Sequence, residues 1–296
     1  MIRDDTEGIS YKQVHEEIDQ FLDLVDGHTF TKPKLDREFN YASRKAKRYS
    51  WQVLDVYVKD GTLERVGADK FRQVDNSVAE VDWQKADTEN LIKLVWPMDL
   101  QKYIKIYPRT IAIIAGVPGS GKTAFMENFA VRNMEHPMGL TLFNNDMSPE
   151  EIKERLDNTG VFIPNPPPFK IFDRDCNFGD VVIPTGINVI DYLDLNSDLY
   201  RIGDEIETIY RKLTTGMALI GIQKKAGQQI GLGGVFSLKR SKLYLTLDTV
   251  TDSGELMHKL TIVKARGRAN PRMNPNGLEI RFKLIQGIKF WVKQVG

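Results

Sequence analysis

The sequence predicts an α/β fold: a mainly parallel sheet with helices packed against it, preceded by a small, mostly helical domain. Three observations carry this. Apolar runs of strand length recur from residue 111 onward, and several end in a polar or acidic residue. The glycine-rich stretch GVPGSGKTAF, residues 116–125, joins the first of those runs to a segment with helical spacing. Residues 1–80 have another texture, with helix-length amphipathic stretches followed by a short alternating ribbon. The expected division is therefore a domain over residues 1–80, a linker over 81–104 and a second domain over 105–296.

Composition limits the function classes. The 296 residues are 41% apolar and 27% charged, enough for a folded core. Forty-one basic residues against 40 acidic ones leave a formal charge of +1, so any nucleic-acid footprint must come from how charge is distributed. The one cysteine, Cys176, excludes an internal disulfide framework and a cysteine-rich zinc site, and the four histidines form no ligand cluster. The opening MIRDDTEGIS lacks an apolar segment of the secretion-signal type, and no run approaches eighteen apolar residues. A cytoplasmic protein without a membrane span is the expectation.

In chain order, YKQVHEEIDQFLDLV sets Val14, Ile18, Phe21, Leu22 and Val25 on one helical face. FTKPKLDREFNY reads as a second helix, capped by Thr29 or Thr31 with Pro33 in its first turn. SRKAKRYSWQVLDVYVKDG is a third, turning Trp51, Val53, Leu54, Tyr57 and Val58 inward. Residues 61–75 alternate around Gly67 as a two-stranded ribbon, with Leu63, Phe71 and Val74 among its apolar members. Three helices and a ribbon resemble a winged helix-turn-helix domain. In that family the third helix enters the major groove, which implies nucleic-acid contact for Arg44, Lys45, Lys47 and Arg48 at its start. A solvated helix face or a protein-docking module are the alternatives. The linker carries Trp83, Leu91, Ile92, Leu94, Val95 and Trp96, too apolar for a free tether; these dock on a neighbouring subunit or cover the core of their own domain.

The stretch Gly116, Val117, Pro118, Gly119, Ser120, Gly121, Lys122, Thr123, Ala124 follows an apolar strand (residues 111–115) and opens a helix (123–132). That is the context a phosphate-binding loop requires. Backbone N–H groups and the helix start face the phosphates, Lys122 neutralises the terminal ones, and the Thr123 hydroxyl is offered to Mg²⁺. A carboxylate on the metal side comes from GINVIDYLDL, where Ile187, Val189 and Ile190 form a buried strand that Asp191 closes; Asp194 reads as local loop chemistry. The strand over residues 140–143 leads into Asn144, Asn145 and Asp146, with Ser148 and Glu151 three positions on beginning a helix. Asp146 either activates water or caps that helix. A further strand, 217–222, ends in Gln223, whose amide can sense the terminal phosphate and report to the loop 225–240. Lys224, Lys225, Lys239 and Arg240 make that loop a candidate for nucleic-acid contact. Four strands fill the last sixty residues, and Lys264, Arg266 and Arg268 crowd the end of the second. With the phosphate loop expected at the start of the sheet order, these cations reach a neighbour's phosphates rather than their own.

Residues 105–296 resemble the RecA-type motor core, above all the motor domain of bacterial replicative hexameric (DnaB-type) helicases. LFNNDMS resembles a family strand that ends in an acidic residue before Met-Ser, and VIDYLDL the metal-side segment. Gln223 takes the place of the sensor glutamine, and Lys264 with Arg266 that of a basic pair acting across the subunit interface. The resemblance implies an ATP- and Mg²⁺-dependent homo-oligomer, a hexameric ring or a filament, acting on single-stranded DNA, with duplex DNA at the winged helix. It implies a helicase or translocase of replication or repair. The stretch LGGVFSLKRSKLYLTLD is more similar to RecA and RadA-type recombinases, which keeps a recombination filament and an ATP-controlled regulatory DNA-binding protein as alternatives. The sequence departs from the helicases in carrying Asp146 where they have Glu, in IPNPPPF, and in the short connection 174–186, where a loop replaces a helix.

Overall fold

The computed structural model describes residues 9–25, 29–76, 78, 80–193, 201–252 and 254–293. They fall into two compact units, Met1–Ala86 and Asp87–Gly296. Asp194 lies outside the described residues.

The first unit runs α1 (Tyr11–Val25), β1 (Thr29–Thr31), α2 (Lys32–Glu38), α3 (Arg44–Asp60), β2 (Leu63–Arg65) and β3 (Lys70–Gln73). Its helices begin where short polar side chains satisfy free backbone N–H groups. Thr31 accepts from the Lys34 amide at 3.4 Å, and Ser43 accepts from the Ala46 amide at 3.1 Å. Gly61, at φ 85°, ends α3 in the left-handed conformation that costs glycine little. Val14, Ile18, Phe21 and Leu22 meet Val53, Leu54, Tyr57 and Phe71 in one core. Trp51 and Val58 pack at its edge, and the Val25 side chain lies outside the described ones. The strand β1 escapes a sequence reading because only three residues form it; it pairs antiparallel with β3, giving the order β1-β3-β2.

In the second unit nine strands form one sheet: β4 (Thr110–Gly116), β5 (Leu140–Asn144), β6 (Lys170–Asp173), β7 (Ile187–Leu193), β8 (Met217–Gln223), β9 (Ser241–Asp252), β10 (Glu255–Ala265), β11 (Glu279–Ile285) and β12 (Lys289–Val292). Their order is β12-β11-β10-β9-β4-β8-β7-β5-β6. The six strands from β9 to β6 are parallel, and β10, β11 and β12 extend the sheet antiparallel. Helices α4 (Lys122–Arg132), α5 (Pro149–Asn158), α6 (Arg201–Lys212) and α7 (Val235–Leu238) complete the unit. The phosphate-loop strand β4 is central, not at the start of the sheet order. Every residue of it is buried, and it hydrogen-bonds to β8 on one side and β9 on the other. A strand apolar on both faces belongs in the middle of a covered parallel sheet. Phe125 and Phe129 of α4 join the core on one face, and Ile202, Ile206 and Ile209 of α6 that on the other.

The stretch 81–104 divides at Ala86. Beyond it, Ile92, Leu94, Trp96, Leu100 and Ile104 are buried in the core that α4 covers. The Trp96 ring lies 4.6 Å from that of Phe129, and Asn133 at the end of α4 both donates to the Val95 carbonyl and accepts from its amide at 2.9 Å. Trp96→Ala is expected to destabilise this unit by about 3–5 kcal/mol, the usual range for deleting a large buried aromatic; urea unfolding followed by far-ultraviolet circular dichroism measures it.

Between β6 and β7 there is no α-helix, only a single 3₁₀ turn at Phe178–Asp180. Phe178 fills the space against α6 instead, and its amide donates to Glu205 at 2.5 Å. Among the described residues no helix is long and apolar enough to cross a membrane.

Candidate functional site

Register decides what meets at the carboxyl ends of the parallel strands. Gly116 pairs with Gln223, and Asn144 pairs with Asp191. The ends of β4, β5, β7 and β8 therefore lie side by side, at the edge where open α/β sheets take their ligands.

The loop between β4 and α4 needs two of its glycines for steric reasons. A Cβ on Gly116 would run into the Ser120 hydroxyl. Gly121 has φ 92°, and a Cβ there would lie 2.7 Å from the Leu284 methyl of β11. Val117, Ser120 and Ala124 are buried, Pro118 and Gly119 are exposed, and Lys122 and Thr123 are half-buried at the start of α4. The loop thus presents its backbone and Lys122 outward on an immobilised base.

Two buried oxygens in this cradle lack a hydrogen-bond partner, Ser120 Oγ and Asp191 Oδ1. Buried polar atoms are nearly always paired, with protein, water or a bound group, so both oxygens are open to such a partner. Thr123 and Asp191 line the same cavity, and Thr123 is close enough to favour the charged form of the Asp191 carboxyl. A hydroxyl and a carboxylate with a free oxygen are the hard donors that Mg²⁺ takes alongside phosphate oxygens, so Thr123 and Asp191 fit the ion. Burial pushes the Asp191 carboxyl above the usual carboxylate range, against the pull of Lys122, Thr123 and Arg155. Burial also lowers the Lys122 ammonium, while Asp191 and Asp146 hold it charged. Its Nζ rests 5.0 Å from the centre of the Tyr192 ring.

The segment after β5 is braced by two asparagines. Asn144 Nδ2 donates to the Met147 carbonyl at 2.9 Å, and Asn145 Nδ2 to the Tyr192 carbonyl at 3.1 Å. Ser148 caps α5 in a reciprocal box with Glu151. Helix capping is therefore not the work of Asp146, which is exposed instead to a cavity of about 470 Å³ lined by Thr123, Asn144, Asp146, Arg155, Asp191 and Gln286, among others. Gln223 is half-buried at the end of β8, and its carbonyl accepts from the Leu232 amide at 2.8 Å, which ties the following loop to the strand.

The remaining sequence-predicted residues scatter. Lys224 is corrected as a nucleic-acid contact: its side chain is 1% exposed, and Nζ donates to Asp248 and to the Gln228 carbonyl, both at 2.5 Å. An ammonium buried and paired in this way is unavailable to a phosphate backbone. Arg240 is engaged as well, donating to Glu207 at 2.5 and 2.7 Å and stacking 4.6 Å from the Tyr210 ring; it holds the Glu207 carboxyl down to about 2, with Arg211 helping. Lys225 and Lys239 are exposed. Arg44, Lys45, Lys47 and Arg48 stand exposed along the first turns of α3 in the other unit.

Lys264 and Arg266 lie toward the far end of the sheet. Lys264 pairs with Tyr244, Tyr244 with Ile113, and the Arg266 amide donates to the Lys242 carbonyl. Lys242 lies level with the Ile111–Ala112 step of β4, so Arg266 sits roughly 15 Å down the strand direction from Gly116 and two strands across. Arg266 is exposed, whereas Lys264 Nζ donates to the Leu238 carbonyl at 2.8 Å. Neither reaches its own phosphate loop.

Sequence reasoning missed Glu127, Arg155 and Gln286. Glu127 had a signal, a carboxylate on an otherwise apolar buried helix face, four residues after Thr123. Gln286 has none beyond a Gln-Gly turn; only the tertiary fold brings the tip of the β11–β12 hairpin to the cavity.

No protein-family model matches the chain, and no curated protein matches it in sequence. Among solved structures, the flagellar accessory protein FlaH from Methanocaldococcus jannaschii superposes with a TM-score of 0.52 at 13% identity, covering 70% of this chain and 99% of that one. At this identity the likeness shows the fold. With the largely parallel sheet and the strand–loop–helix at residues 110–132, it is a RecA-like P-loop fold.

Proposed function

We propose that this chain is an ATP-hydrolysing oligomeric motor acting on nucleic acid, a DNA helicase or translocase of replication or repair. The observation that supports it most is a division of the site. Lys122, Thr123, Asp146, Asp191 and Gln223 converge on one end of the sheet, while Arg266 lies beyond reach of that end in its own subunit. A cation so placed serves the phosphates of the next copy in a ring or filament.

In this reading Lys122 and the amides of the loop hold the triphosphate, with Thr123 and Asp191 as the Mg²⁺ donors. The bound ion offsets phosphate charge. Asp146 accepts the proton of the attacking water. Gln223 feels loss of the terminal phosphate and passes it to residues 224–240 through the bonded Leu232 amide. The Met1–Ala86 unit acts as a winged helix, with Arg44, Lys45, Lys47 and Arg48 on the backbone of duplex DNA.

A second reading is an ATP-controlled assembly switch that does not travel along a strand. It is favoured by the burial of Lys224 and the pairing of Arg240 with Glu207, which leave Lys225 and Lys239 as the exposed, unpaired cations predicted for that loop among the described residues. Electron microscopy with single-stranded DNA and AMP-PNP separates the two, together with ATPase assays with and without DNA. The motor reading expects closed rings or filaments on the strand and DNA-stimulated hydrolysis. Discrete particles and a rate indifferent to DNA would overturn it. Mixing Arg266→Ala subunits with Lys122→Ala subunits is expected to restore hydrolysis that each lacks alone.

A further inference from the structure

Glu127 is 1% exposed, in the second turn of α4, four residues after Thr123. A carboxylate taken out of water needs a cation close by. Arg155 of α5 supplies it through three contacts: Nε at 2.8 and 3.0 Å from the two carboxylate oxygens, and Nη2 at 2.7 Å. This ion pair ties the helix that begins at the phosphate loop to the helix that follows Asp146.

As a mere stabiliser the pair is a poor solution, because apolar residues of equal volume serve a core as well or better. Its placement says more. The Arg155 side chain is 30% exposed and lines the same cavity as Thr123, Asp146 and Asp191. It is near enough for its charge to act on Asp191. Glu127 uses two of the three guanidinium nitrogens; Nη1 has no acceptor among the described residues. A planar guanidinium gripped along one edge is pre-oriented to donate along the other.

We propose that Arg155 is a residue of the chain's own nucleotide site, fixed by Glu127 so that its free edge receives the terminal phosphate of a bound nucleoside triphosphate. This rests on the ATP-site reading above and adds to it a recognition element that separates triphosphate from diphosphate within one subunit. Glu127 is then a positioning residue: it touches no ligand and acts by holding Arg155 in one rotamer.

The test is binding of Mg·AMP-PNP and Mg·ADP by isothermal titration calorimetry on the full chain, with melting temperature as the check on folding. Arg155→Gln is expected to weaken AMP-PNP by about 10-fold and ADP by less than about 2-fold, the size of one charged hydrogen bond. Arg155→Lys recovers part of the loss, and Glu127→Gln shows an intermediate one. If Arg155→Gln fails to fold because Glu127 is stranded, the double variant Glu127→Leu, Arg155→Leu leaves no buried charge unpaired; it is expected to keep the fold and lose the preference for AMP-PNP. Equal changes for both nucleotides, or a double variant that still prefers the triphosphate, overturn the assignment of Arg155 while leaving the nucleotide site standing. A wild-type chain that binds neither nucleotide overturns both.

Discussion

Asp191→Asn is expected to lower Mg²⁺-dependent ATP hydrolysis by about 10³-fold and at the same time to raise the melting temperature of the ligand-free protein. The two effects have one cause. The Asp191 carboxylate is buried at 4% exposure with Oδ1 unpartnered, and the nearby Asp146 adds like charge. Lys122 and the neighbouring Thr123 offset part of that burden. Asparagine keeps the shape and removes the charge. Relief of an uncompensated buried charge is worth about 1 kcal/mol or more, which is about 2–4 °C in a unit of this size. The same substitution removes the anionic donor for Mg²⁺, whose charge stabilisation of several kcal/mol corresponds to a loss of about 10³-fold in turnover. Differential scanning calorimetry and a coupled phosphate-release assay measure the pair. A melting temperature that falls, with hydrolysis intact, would mean that Asp191 is a structural carboxylate.

The second large effect is expected at Asp146. Asp146→Asn lowers turnover by about 10²-fold or more, the usual contribution of a general base, with nucleotide affinity nearly unchanged. The side chain is exposed to the cavity beside Thr123 and Asp191, and the segment around it is held by Asn144, Asn145 and the Ser148–Glu151 box rather than by Asp146 itself. The substitution should therefore leave the backbone in place. Single-turnover kinetics with nucleotide pre-bound separate chemistry from binding. An unchanged rate would move water activation to another group.

Several features of the fold were legible because they depend on neighbours in sequence. Thr31, one of the two candidate caps, marks the start of α2, and 116–124 lies between strand and helix as its glycine-rich pattern predicts, each through contacts a few residues apart. The apolar run at 111–115 likewise announced a strand, though its central place in the sheet differs from the expected start of the sheet order. The three-residue β1 was not legible, since its pairing partner lies some forty residues away and carries the information that makes it a strand. Lys224 misled for a related reason, and Arg240 is paired where the sequence showed no partner. Their local context is a glycine-rich polar loop, but Asp248 and Glu207 reach them from strands and helices elsewhere in the chain.

By itself, then, the sequence determined the glycine-rich loop, Lys122 and Thr123 at a strand–helix junction, together with acidic and amide residues at the ends of later strands. Only the tertiary structure decided which of those groups share a cavity, that β4 is central, and that Glu127 grips Arg155 beside Asp191. The physical reason is range. Backbone capping and loop conformation are set within a turn or two of chain, whereas strand register and the pairing of buried charges arise only when distant segments pack and exclude water.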